Sequence, residues 1–86
     1  MRLAAASDLI KRTEPFEILS LNGTISFHGV HLHLGVADQS GCTFGGHLME
    51  ENLIYTTCEL VIVELKEVEF FREFDSETGF KELKII

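Results

Sequence analysis

Apolar residues recur along much of this chain with a period of two, the spacing of side chains that alternate between the faces of a β-sheet. The stretch "HLHLGVA", residues 31–37, alternates strictly: Leu32, Leu34 and Val36 fall on one face, and His31, His33, Gly35 and Ala37 on the other. Residues 16–27, "FEILSLNGTISF", alternate for part of their length and carry Asn22-Gly23 in the middle. That pair reads either as a hairpin turn or as a bulge in one long strand. Turns are expected in "FHGV", around Gly29, and in "ADQSGC", with Gly41 at the position that needs positive φ. "CTFGGHL" predicts a short strand, and residues 53–65, "LIYTTCELVIVEL", carry the strongest strand composition, rich in β-branched residues. "EVEFFREF" and "KELKII" predict two more strands, joined by a loop in "FDSETGF". Helix signals are weak: "ASDLIKRTE" allows one turn, and Pro15 stops anything longer. "MRLAAAS" reads as a strand with no lead-in. The pattern predicts a mostly β fold, as one domain over residues 1–86.

Composition adds three constraints. With 45% hydrophobic residues and seven phenylalanines the chain is too apolar to be a disordered acidic segment. Eighty-six residues bury a smaller fraction of their surface than a long chain does, so sheet edges and phenylalanines are expected to be covered by further copies in a homo-oligomer. A net charge of −7, with Lys11-Arg12 the nearest thing to a basic cluster, disfavours nucleic acid as a partner, because phosphate binding needs lysine and arginine to displace counterions. No apolar run reaches the length of a membrane span, and Cys42 and Cys58 read as reduced thiols of a cytoplasmic protein. Cys58, inside the most hydrophobic stretch, is expected to act as a small apolar residue.

Candidate chemistry concentrates in residues 28–48, which hold all four histidines. His31 and His33 are two apart on a predicted strand and therefore project from one face. His47 follows Gly45-Gly46, where backbone without Cβ atoms can approach closely. Three imidazoles with an open fourth position form the pattern of a catalytic or exchangeable zinc site. The competing reading is a polar sheet face whose histidines bond backbone or water. His28, in the predicted turn, is expected to stand outside any site.

The runs "PFEILSLNGTIS", "HLHLGVADQSGCTFGGHL" and "YTTCELVIVEL" together resemble the PPC domain, the "plants and prokaryotes conserved" domain. The resemblance covers nearly the whole chain. It implies an α+β domain with a mostly antiparallel sheet, assembled as a trimer, with the metal pattern falling on His31, His33 and His47. It also implies a leading strand, helix and strand that this sequence does not carry, so the expectation is a truncated version of that domain. The plant relatives follow AT-hook motifs, and no "Arg-Gly-Arg-Pro" occurs here. Three function classes follow. One is a metal-dependent enzyme or sensor, with Glu50, Glu51, Glu59 or Tyr55 as candidate acid or base. Another is a protein-interaction or scaffold module. The third is a DNA-associated protein by analogy with the plant relatives.

Overall fold

The computed structural model describes residues 1–2 and 9–86. Among these residues every regular element is a strand: β1 (Glu17–Ser26), β2 (Gly29–Ala37), β3 (Thr43–His47), β4 (Phe70–Asp75) and β5 (Phe80–Ile85). They form two antiparallel sheets, β1-β2-β3 and β4-β5. The mostly β, antiparallel expectation holds. The strand and helical turn expected over residues 1–7 and 6–14 lie partly outside the described residues.

Residues 16–27 hold one long strand, β1, and its turn follows at their end. Asn22-Gly23 lies inside β1, and the chain reverses at Phe27-His28. Gly23 takes φ +152 there, and a Cβ on it would run into the His31 carbonyl oxygen. The glycine therefore permits a local irregularity within the strand, as a bulge does, in place of a turn. Between β2 and β3 the chain turns on Asp38. Its carboxylate accepts hydrogen bonds from the backbone N–H of Ser40 and of Cys42, both 2.9 Å, with Gly41 at φ +81. This self-bonding is what makes aspartate a turn former.

The chain divides into two compact units, Met1–Gly23 with His31–Glu59, and Thr24–Val30 with Leu60–Ile86. In the first, one face of the sheet gathers the apolar residues. Val36 is 6% exposed, and its register partner Phe44 meets Phe16 edge-on at 5.5 Å. The Arg12 guanidinium lies 4.8 Å from the Phe44 ring centre and 5.5 Å from that of Phe16. In the second, the β4–β5 ladder pairs Phe70 with Ile85 through Asp75 with Phe80, and His28 stacks on Phe71 at 4.4 Å.

Residues 53–65 correct one expectation. The strongest strand composition in the chain forms no strand among the described residues. Leu53 and Val61 are each 95% exposed, and Ile62 and Val63 stand largely in solvent. β-propensity measures fit to a pleated, half-buried surface, so it acts only where a neighbouring edge is available. Cys58 is half-buried, short of the core position expected for it, and Cys42 is exposed.

Candidate metal site

The register of β2 and β3 assembles the site. His33 pairs directly with His47, Gly35 with Gly45, and Ala37 with Thr43, so these residues share one face of the sheet. Leu34, Val36 and Phe44 occupy the opposite, apolar face. His31 joins His33 and His47 because it lies two residues before His33 on β2.

Hydrogen bonding sets how close the pair comes. The backbone N–H and carbonyl of His47 both point away from β2, exchanging bonds of 2.9 and 3.0 Å with Arg2. The His33–His47 pair is therefore of the non-hydrogen-bonded kind, and the Leu48 N–H to Leu32 carbonyl bond of 2.8 Å beside it fits that pattern. In such pairs Cα atoms are about 4.5 Å apart and side chains approach more closely than in bonded pairs. Glycine makes the crossing possible. A Cβ on Gly45 would stand 2.6 Å from the Leu34 carbonyl oxygen, and one on Gly46 would collide with the Arg2 carbonyl oxygen.

The result is a cluster of three imidazoles. Ring centres are 4.7 Å apart for His31 and His47, 5.0 Å for His31 and His33, and 5.7 Å for His33 and His47. Their ligand nitrogens all lie within 4.8 Å of one another. Tetrahedral bonds of 2.0–2.1 Å place ligand nitrogens about 3.3 Å apart, so modest side-chain rotation closes the three onto one ion. His31 and His47 are half-buried and His33 is exposed, which supports the cluster from the sheet and leaves one side open. The donor set is nitrogen only, which suits zinc, copper, iron and nickel and not the oxygen-seeking magnesium and calcium.

All three histidines singled out in the sequence meet here. His28 stands elsewhere, in the second unit against Phe71. The candidate acids and bases do not join the cluster. The Glu51 carboxylate accepts a 3.0 Å bond from the Lys11 ammonium, Tyr55 is 97% exposed, and Glu50 and Glu59 are exposed. One residue escaped sequence reasoning. Arg2, paired to His47 from the far side of β3, stands in the same row as His33 and His47, and no spacing rule connects positions 2 and 47.

Comparison with known proteins agrees with the motifs. Two proteins named Bifunctional protein GlmU, from Synechococcus sp. strains JA-3-3Ab and JA-2-3B'a(2-13), are each 47% identical over 85 residues. The match covers 99% of this chain but 14% and 13% of theirs, so the chain spans about a seventh of the length of these relatives. The family model of the Plants and Prokaryotes Conserved (PCC) domain matches residues 2–66, a span that contains β1, β2, β3 and all three clustered histidines. On that match the chain belongs to the Plants and Prokaryotes Conserved domain family.

Proposed function

We propose that this chain is a single-domain PCC module that binds one divalent metal ion, zinc, through His31, His33 and His47, and that it works as a cytoplasmic homo-oligomer, a trimer by family resemblance. The observation that carries the metal reading is the convergence of three imidazole nitrogens within 4.8 Å, on a face whose next rows are Gly35 with Gly45 and Ala37 with Thr43. Zinc held by three imidazoles keeps an open position at which it polarises a bound ligand. The chain's own part is to hold the three rings at fixed spacing on a sheet whose register sets His33 against His47, since a one-residue slip would move the histidines of one strand to the other face.

The oligomer rests on surface. Leu53, Tyr55 and Val61 are each at least 95% exposed, and large apolar side chains left in water are what a subunit interface covers. The same exposed apolar surface favours a second reading, a protein-interaction module. The relatives named Bifunctional protein GlmU hold the matching stretch within much longer chains, which supports a module that also serves joined to other domains. DNA association is disfavoured by the charge of −7.

Metal analysis of untagged protein, followed by zinc titration calorimetry, tests the metal reading. One zinc per chain is expected, with affinity falling on acidification because protons compete for the same imidazole lone pairs. Protein that carries no metal and gives no binding heat would overturn it.

A further inference from the structure

Three residues from three neighbouring backbone segments line up across the sheet. His33 on β2 is opposite His47 on β3, and His47 is opposite Arg2. The last pairing is firm, since both backbone bonds between the two residues are made. Arg2 is held on its other side as well. It bridges Leu9, and Met1 and Ile10 exchange bonds of 3.0 and 2.8 Å. Residues directly opposite in adjacent strands project from the same face, and strands lie about 4.8 Å apart. The Arg2 side chain therefore rises beside the imidazole of His47, on the face that carries the three-histidine cluster. The next row on that face is Gly35 paired with Gly45, with the Ser20 hydroxyl 2.7 Å from where a Gly35 Cβ would lie. A guanidinium next to a cationic metal centre, with glycines alongside, is an arrangement suited to a small anion.

We propose that Arg2 and the three imidazoles form one site, in which a metal held by His31, His33 and His47 takes an oxyanion, a carboxylate or a phosphate, that Arg2 also grips. This rests on the metal reading above and names the class of ligand for its open position. The guanidinium fork matches the two oxygens of either group, and a charge-assisted bond of this type is about twice as strong as a neutral one. The net charge of −7 gives the selectivity a local character: the chain as a whole repels anions, and Arg2 with the metal supplies positive charge at one place.

The test uses the whole chain loaded with Co(II), whose visible absorption reports the ligands around it. Acetate, inorganic phosphate and neutral acetamide are titrated into wild type, Arg2→Met and Arg2→Lys. The expected result is a spectral change with acetate or phosphate and none with acetamide at the same concentration. Arg2→Met should weaken that anion at least tenfold while Co(II) affinity stays within about threefold, as a single charge-assisted contact implies. Arg2→Lys, which keeps the charge without the fork, should recover part of the loss. Which of the two anions responds decides between carboxylate and phosphate. Equal anion affinity in wild type and Arg2→Met overturns the proposal and leaves the metal reading standing. Absence of Co(II) bands in wild type overturns both. Should Arg2→Met fail to load Co(II), Arg2→Gln replaces it, and loss of Co(II) there too would make Arg2 a structural residue and overturn the proposal.

Discussion

The β2–β3 ladder and the β4–β5 ladder are built alike and do different things. Both are antiparallel, one with five register pairs and the other with six. β3 is paired on two sides, by β2 and by Arg2, and its last residue joins a cluster of three imidazoles. β5 pairs only with β4 among the named strands, and all six of its residues are exposed. A strand flanked on both sides places side chains in rows across the sheet, which is how residues 2, 33 and 47 come together. A two-stranded hairpin offers pairs but no third row. The difference lies in neighbours, since both ladders are antiparallel but, of β3 and β5, only β3 has a partner on each side.

The sharpest way to break the comparison is to remove a ligand. His47→Ala should weaken zinc binding more than 100-fold by calorimetry, beyond the 10–100-fold that changes in a ligand's surroundings typically cause. His28→Ala, in the other unit, should leave zinc affinity unchanged. Equal effects of the two would erase the distinction between the regions.

A second test asks whether the exposed stretch at residues 60–65 is an interface. Val61 is 95% exposed, so a charge there costs the single chain little. At a buried subunit contact an unpaired charge is expensive. Val61→Lys should shift the mass measured by light scattering from an oligomer towards 9.7 kDa. Wild type that already runs as a monomer at micromolar concentration would refute the oligomer.

Smaller effects probe the packing of the histidine-bearing sheet. Gly46→Ala should destabilise the fold by about 1–3 kcal/mol, the usual cost of overpacking, and should weaken zinc binding with it because β3 must move from Arg2. Denaturant midpoints and zinc titration read the two. The smallest change expected is Arg12→Met. It keeps the apolar stem but loses the guanidinium that covers Phe16 and Phe44 and bonds Glu14 at 2.9 Å. The Arg12 side chain is about two-fifths exposed, so the loss should be about 0.5–1 kcal/mol. A larger value would place Arg12 in the core of the unit.

Much of the site was legible in the sequence because strand geometry is simple. Two histidines two apart on a strand share a face whatever the fold, and a Gly-Gly-His run announces close backbone approach. The turns at "FHGV" and "ADQSGC" were legible for the same local reason. Asn22-Gly23 was not, since the pair suits a turn or a bulge equally, and only the partner strand decides. Residues 53–65 misled because their composition states what they fit and not whether an edge is there to receive them.

The sequence by itself determined the strand character of the chain, the separation of Leu32, Leu34 and Val36 from His31 and His33, and the family, all of which rest on local pattern and motif. The tertiary structure alone decided the register that sets His33 against His47, and the pairing that brings Arg2 to the same row. Register is a property of two segments, fixed by which backbone bonds form across the gap. Nothing in the spacing from position 2 to position 47 encodes it.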